Sequence, residues 1–224
     1  MSSGPERSMR DELLQAAVGL LDDHGPDALQ ARKVATAAGT STMAVYTHFG
    51  GMRGLIAEVA DEGMRLFDGA INVPASDDPV ADLLVCGAAY RTFAIDRPHL
   101  YRLMFGSTSA HGIDAPARNV LTMAVDESGL QYAAFGRLVS IVHRSMVAGR
   151  ITTGSADDHA SVLSAAGQFW AMTHGFVMLE LAGYFGGDGH AVVPVLGGMV
   201  TNLLIAMGDS TDRLTASLAT SGWL

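Results

Sequence analysis

The sequence predicts an all-α protein, and three observations carry that expectation. Apolar residues recur every three or four positions through most of the chain, the interval that lines one face of a helix. Breaks in this pattern coincide with helix-ending residues, at Gly25-Pro26, at Gly50-Gly51 and in the turn-rich Asn72–Pro79. Within Gln30–Leu55, QARKVATAAGTSTMAVYTHFGGMRGL, two short helical patterns flank a tight turn containing Gly39, which describes a helix-turn-helix. The expected layout is an N-terminal three-helix domain at 1–50 and a longer helical domain at 51–224, entered through a linking helix at about 52–71.

In chain order, residues 1–7 read as a tail. Ser8 can cap a helix from Met9 to about His24, with Asp11 and Glu12 in the first turn, where acids favour the helix dipole. Leu13, Leu14, Ala17, Leu20 and Leu21 form its buried stripe, and Gly25-Pro26 ends it. The next helix, Arg32–Ala38, places Val34, Ala35 and Ala38 on one apolar face, and Gly39 supplies the backbone freedom for a sharp reversal. Thr40, Ser41 and Thr42 offer hydroxyls to the N–H groups that open the following helix. That helix, Thr42–His48, turns Ala44, Val45 and Phe49 inward. It leaves Thr42, Met43, Thr47 and His48 outward and has the size to enter a DNA major groove.

A longer helix from about Met52 to Ile71 carries Ile56, Val59, Ala60, Gly63, Met64 and Phe67 as its stripe. Beyond it, helices are expected over Val80–Ile95, Pro98–Phe105, Ala115–Asp126, Gln131–Gly149, Asp157–Tyr184 and Ala191–Gly208, with a loop at Gly106–Asp114. In Gln131–Gly149 the shared face holds Leu138, Ile141, Val142, Ser145 and Met146.

Composition bounds the function. At 224 residues the chain fits one large domain or two modest ones, with length enough to bury a core. Its 49% apolar content speaks against disorder for most of it. The single Cys86 excludes an intramolecular disulfide and fits a reducing cytosol, so a cytoplasmic location is expected. The start, MSSGPERSMRDELL, carries acids and no apolar run, so it does not read as a signal peptide. The net charge of −9 by itself argues against a nucleic-acid binder, but its distribution says more. Residues 1–55 hold five bases (Arg7, Arg10, Arg32, Lys33, Arg53) against six acids (Glu6, Asp11, Glu12, Asp22, Asp23, Asp27), so nearly all the negative charge lies beyond them. No acid occurs between Gln30 and Ile56, and Arg32, Arg53 and the sole lysine, Lys33, flank the short helices. A DNA-facing tip on an acidic body fits this distribution.

Gln30–Leu55 resembles the N-terminal domain of TetR-family transcriptional regulators. The resemblance rests on Val34-Ala35, Ala38-Gly39, Tyr46-x-His48-Phe49 and Leu55, in the family's order and spacing. Two positions depart from it. The family usually has Lys at the position of Met52, where its charge meets a phosphate; here Arg53 stands next to it. The family also usually opens the first short helix with Ser or Thr, where this chain has Gln30-Ala31, a weaker cap. Farther on, Ala89–Gly106 resembles the sensor domain of one subgroup. Trp170-x3-His174-Gly175, followed by Leu179-Glu180, resembles the signature of regulators with a WHG-type sensor domain. The resemblance implies a regulator of transcription, most commonly a repressor on a palindromic operator, released by a small-molecule effector.

The candidate DNA contacts are Arg32, Lys33, Thr40, Ser41, Thr42, Met43, Tyr46, Thr47, His48 and Arg53. Tyr46 and His48 can each donate to a phosphate, Arg32 can reach a phosphate or grip guanine with two parallel bonds, and Lys33 suits a phosphate. Thr42, Met43 and Thr47 have small or apolar ends able to touch thymine methyls. For Tyr46 the competing reading is packing within the small core. The candidate ligand set is Tyr90, Phe93, Tyr101, Met104, His143, Met146, Trp170 and His174, in which Met and aromatic side chains suit an apolar molecule and a few polar tips orient it. The same residues are also ordinary core material. Trp170, His174, Val177 and Leu181 share a helix face, and Gly175 can admit a neighbouring helix.

Ser161–Leu179 and Gly189–Gly208 lack any Asp, Glu, Lys or Arg and approach the ~20 residues of a membrane span. Gln168, His174, Pro194 and Asn202, with no flanking basic cluster, argue against insertion. Both are instead expected to be buried on nearly all sides. The expected setting is a homodimer in which Asp157–Tyr184 and Ala191–Gly208 pack on their symmetry mates as a four-helix bundle. No G-x-S-x-G, P-loop spacing or zinc grouping occurs, so neither an enzyme nor a metal or other cofactor is expected. Two further readings stay open on the residues alone. One is a constitutive DNA-binding regulator without a ligand, the other a helical small-molecule-binding protein whose DNA-binding domain has decayed.

Overall fold

The computed structural model describes residues 8–114 and 133–222, and helices account for nearly all of its regular structure. Helix α1 (Met9–His24) is followed by a 3-10 turn (Pro26–Ala28), α2 (Ala31–Ala37), α3 (Thr42–Phe49) and α4 (Met52–Ala70). Then come α5 (Pro79–Asp96), α6 (Pro98–Met104), α7 (Ala133–Val147), α8 (His159–Leu181), a π-helical turn (Val192–Gly197), α9 (Gly198–Ala206) and α10 (Thr211–Ser221). Among the described residues no strand forms beyond an isolated bridge, Ala110 to Ile113. The tail at 1–7 and the helix expected over Ala115–Asp126 lie outside the described residues.

The described residues fall into two units, 8–66 with 97–114 and 67–96 with 133–222. In the first, α1 opens on a reciprocal cap: the Ser8 hydroxyl accepts the Asp11 N–H, and the Asp11 carboxylate accepts the Ser8 N–H. Leu13, Ala17 and Leu21 of α1 are buried together with Val34 of α2, Val45 of α3, Leu55, Ile56 and Val59 of α4, and Leu100 and Leu103 of α6. Helix α1 packs on both α2 and α6, and Arg97 at the start of α6 pairs with Asp22 of α1. The boundary expected at residue 50 therefore falls inside this unit, which also takes in residues 52–66 of α4.

Two glycines set the spacing within the first unit. At Gly63 a β-carbon would crowd Leu100 Cδ1 at 2.9 Å, so its absence lets α6 approach α4. At Gly54 a β-carbon would overlap the Phe49 carbonyl oxygen, so the first turn of α4 can abut the end of α3 only because this residue has no side chain.

In the second unit α5 is central, packing on α7, α8 and α10. Its core combines Leu83, Leu84 and Phe93 of α5 with Ile141, Val142 and Met146 of α7 and Ala165, Phe169, Phe176 and Val177 of α8. Arginine–carboxylate pairs tie its segments together: Arg91 to Glu180, Arg137 to Asp68, Arg144 to Asp82, and Arg150 to both Asp209 and Asp78.

Two features correct the sequence reading. The expected helix over Ala191–Gly208 is divided into a π-helical turn and α9. Pro194 lies within that turn, and its missing N–H interrupts the regular hydrogen-bond ladder. Helix α10 was not anticipated at all. Only Leu214 and Ser217 of it are buried, too little to make an apolar stripe. It is held by polar contacts instead: the Ser217 hydroxyl donates to Asp78 (2.6 Å) and accepts from Arg150 (2.9 Å).

Helices α8 and α9 are not buried on all sides within one chain. Ser164, Gln168, Ala171 and Leu179 of α8 are exposed, as are Met199, Asn202 and Ile205 of α9 and Val193 before it. Among the described residues, no helix is long and apolar enough to cross a membrane.

Candidate nucleic-acid interface

The α2–α3 turn is shaped by backbone before any side chain matters. Gly39 takes a positive φ of 65°, and the chain reverses there with Thr40 N–H donating to the Ala35 carbonyl (2.8 Å). Helix α3 ends on Gly50 in the left-handed region, its N–H donating to the Tyr46 carbonyl (2.9 Å). Val45, fully buried, anchors the inward side. One expectation fails here: Ser41 occupies the capping position of α3 but makes no side-chain capping bond. Gln30 likewise does not cap α2, its amide donating instead to the Asp27 carbonyl (3.0 Å).

With those constraints, Arg32, Lys33, Ser41, Thr42, Met43, Tyr46, Thr47, His48 and Arg53 are all exposed, and Thr40 is partly so. Arg32, Lys33 and Arg53 make no ion pair among the described residues. Arg10, Arg65 and Arg97 of the same unit are paired with Glu58, Glu62 and Asp22. The hydrogen bond from Arg65 holds the Glu62 carboxyl below its usual range, against a smaller opposing effect of burial. The cations near α2–α3 are thus the ones left for an anionic partner.

Tyr46 does not pack into the small core. It is 57% exposed, and its ring lies where a β-carbon at Gly51 would touch it, so the side chain rests against bare backbone. Met43 is 68% exposed, and the Thr47 hydroxyl donates to the Met43 carbonyl (3.0 Å). Arg10 of α1, outside the candidate DNA contacts, places its guanidinium carbon 5.3 Å from the Phe49 ring centre while pairing with Glu58 (2.7 Å). It braces the end of α3 against α1 and α4. Together these groups offer cations and hydroxyls for phosphates around a helix face available to base edges.

The candidate ligand residues are divided between the units. In the second, three converge on one oxygen: the Tyr90 hydroxyl lies 3.0 Å from His174 Nδ1 and accepts from the Trp170 indole N–H at 3.3 Å. Burial lowers the His174 pKa and favours the neutral ring, in which one nitrogen donates and the other accepts. Phe67 meets Tyr90 edge-on (4.9 Å between centroids) and Phe93 (5.3 Å), and Phe135 lies 5.3 Å from Trp170. Next to Tyr90 on α5, Arg91 grips the buried Glu180 with two bonds (2.7 and 2.6 Å). Met146 is buried on α7, whereas His143 on the same helix is exposed. Tyr101 and Met104 are buried in the first unit, where the Tyr101 ring meets Phe105 at 4.8 Å. Among the described residues, a β-carbon at Gly175 would meet nothing within 4 Å, so none of their helices makes a close approach that needs this glycine. Among the described residues, no group of three His, Cys, Asp or Glu side chains could hold a metal ion.

Comparison with known proteins adds independent information. Residues 13–59 match the family described as "Bacterial regulatory proteins, tetR family". Residues 83–202, more than half of the chain, match "Tetracyclin repressor-like, C-terminal domain". An uncharacterized HTH-type transcriptional regulator of Mycobacterium tuberculosis is 25% identical over 183 residues, covering 80% of this chain and 73% of that protein. A protein of unknown function from Rhodococcus sp. RHA1 has a similar structure, with a TM-score of 0.69 and 25% identity over 93% of this chain and all of that one. A TetR variant from Acinetobacter baumannii, solved in complex with minocycline, shares the fold at a TM-score of 0.52 and 16% identity, over 94% of this chain and 93% of that one.

Proposed function

Because the chain belongs to the TetR family of bacterial regulatory proteins, we propose that this DNA-binding transcriptional regulator is a repressor. In this reading it leaves a roughly palindromic operator when a small, mostly apolar molecule binds its helical sensor region. The family is one of regulators, not enzymes. The observation that carries the proposal is the cationic rim, Arg32, Lys33 and Arg53, without ion pairs among the described residues, around the exposed face of α3. In this reading residues 1–50 are the reading head and 51–224 the sensor and dimerisation region, working in the cytoplasm. Arg32, Lys33, Arg53, Tyr46 and His48 hold phosphates, with Thr40 and Ser41 at the helix entry, and Thr42, Met43 and Thr47 face the bases.

The exposed face of α8 and α9 supports a homodimer. Leu179, Met199 and Ile205, at 45%, 41% and 39% exposure, are apolar side chains that a second copy would cover. Two-fold pairing would present two reading heads and so call for a roughly palindromic site.

For the ligand, the support is the aromatic group around the Tyr90 hydroxyl, with Phe93, Met146, Trp170 and His174 as the apolar and polar parts of one sensor. Tyr101, Met104 and His143 are assigned to that sensor on the residues alone. The minocycline complex of a structural neighbour is a precedent for small-molecule binding in this fold. A ligand weakens DNA binding only by favouring a conformation whose reading heads fit the grooves poorly. Helix α4, with residues in both units, is the proposed lever. A coupling of about 1–3 kcal/mol lowers operator affinity roughly 5–150-fold. The test is operator affinity with and without a compound found by thermal-shift screening. An unchanged affinity at saturation removes the induction mechanism and leaves a constitutive regulator.

A further inference from the structure

Helix α3, Thr42–Phe49, contains no Arg, Lys, Asn or Gln. Those are the side chains that make two-point hydrogen bonds to guanine or adenine in the major groove. Sequence reading by α3 must therefore use something else, and the face it presents is specific. At about 100° per residue, Met43 and Thr47 each lie about 160° from Val45, one on either side of the direction opposite the buried anchor. They occupy the centre of the exposed arc, one above the other at i and i+4. Met43 is 68% exposed. The hydroxyl of Thr47 is turned back onto the Met43 carbonyl at 3.0 Å, which leaves its methyl group as the outward part of the side chain. The neighbouring row, Thr42 and Tyr46, carries hydroxyls, and the Tyr46 ring is held to the side against Gly51. The middle of the reading face is thus carbon, flanked by oxygen.

In the major groove only thymine displays an alkyl group, its 5-methyl. We infer that Met43 and Thr47 read the operator half-site through thymine methyl groups, so that α3 is specific for thymine at the one or two positions beneath them. The absence of acids from residues 28–57 lets this apolar centre approach the duplex without repulsion from a carboxylate on α2, α3 or the turn between them. The inference rests on the DNA-binding reading and adds to it the chemical group recognised.

The experiment replaces thymine by deoxyuridine, which deletes the methyl and leaves every hydrogen-bonding group in place. A duplex is first enriched from random DNA with the full chain, and each thymine of the enriched site is then changed singly. Affinities are measured by fluorescence anisotropy at one salt concentration. One or two deoxyuridines in each half-site should weaken binding about fourfold apiece, the size of one buried carbon group. Thr47→Ser, which keeps the hydroxyl bond but loses the methyl, should abolish the deoxyuridine effect at one of these positions. Thr47→Val, which keeps the methyl, should retain it, and Met43→Ala should abolish the effect at the other. An enriched duplex bound equally well with every thymine replaced, or a half-site enriched without thymine, overturns the inference while leaving DNA binding intact. Enrichment of no duplex at all overturns the DNA-binding reading and this inference with it.

Discussion

Arginine is used in opposite ways in the second unit and around α2 and α3 of the first. In the second, Arg91, Arg137, Arg144 and Arg150 each meet carboxylates, and the side chains of Glu180 and Asp209 are 2% and 0% exposed. Around α2 and α3 of the first, Arg32 and Arg53 stand in solvent beside Lys33, with no ion pair among the described residues. A guanidinium locked between carboxylates helps to specify the fold and has little charge left for a partner. A solvated one contributes little to stability and keeps its charge for a polyanion. The comparison also explains why the net charge of −9 was a poor guide to function. The excess of acids lies outside residues 28–57, which hold none, so the total says nothing of the charge around α2 and α3.

The sharpest way to break this comparison is at Arg150. Arg150→Met takes from the buried Asp209 its two-bond partner and leaves it only Arg213 at 3.3 Å, and loss of one partner from a buried pair costs up to about 3–5 kcal/mol. Denaturant unfolding should register that loss, and a change below about 1 kcal/mol would show that the arginines of the second unit are not structural. Next in size is Gly54→Ala, whose β-carbon must displace the Phe49 carbonyl. Overpacking of this kind costs about 1–3 kcal/mol. Operator affinity should fall in parallel because α3 shifts, so normal affinity in a destabilised variant would count against the close α3–α4 approach.

Lys33→Ala and Arg32→Ala should do the reverse. Their unfolding free energies should stay within about 0.5 kcal/mol of the parent, as for surface substitutions without structural partners. DNA affinity should drop, and a lost phosphate contact should reduce the salt slope by about 1. A smaller effect is expected of Arg10→Gln, since both Arg10 and Glu58 side chains are 40% exposed. Its stability loss should not exceed about 1 kcal/mol, and its salt slope should be unchanged because its charge is already engaged. A slope reduced as in Lys33→Ala would move Arg10 from bracing to phosphate contact.

The smallest effect is a pH dependence confined to the second unit. Burial lowers the His174 pKa below its ordinary value of 6.5, so the unfolded chain takes up this proton first as pH falls. The His174 contribution to stability is therefore full above about pH 6.5. It is lost progressively as pH drops from there through the lower folded-state value. Thermal unfolding of His174→Gln should show a flatter profile in that window, and an identical profile would mean the ring is not held neutral.

The first unit was the more legible of the two because its determinants are local. Ser8 with Asp11, Gly39 at its positive φ, and Val45 opposite the outward residues each act within a few positions of the chain. Even there the hydroxyl cap expected from Thr40–Thr42 does not form, and the need for Gly54 is visible only once α3 and α4 are set end to end. The second unit depends on contacts far apart in sequence. Tyr90 and His174 are separated by 84 positions, and Arg150 and Asp209 by 59. The W-x3-H-G motif marked Trp170 and His174, but nothing local shows that both point at one tyrosine. Helix α10 escaped for the same reason, because serine, aspartate and arginine hold it where a leucine stripe would have been readable.

The shared Tyr90 hydroxyl also gives this chain a built-in optical probe. Trp170 is one of two tryptophans, and its indole N–H is the group bonded to that oxygen. Indole emission responds to the proton acceptors and dipoles around the excited ring. Any molecule that competes for the phenol, or wedges between Phe135 and Trp170, must therefore change the colour or yield of the chain's own fluorescence. With Trp223 replaced by Phe, the remaining indole emission comes from Trp170 alone, and binding of such a molecule can be followed without a label.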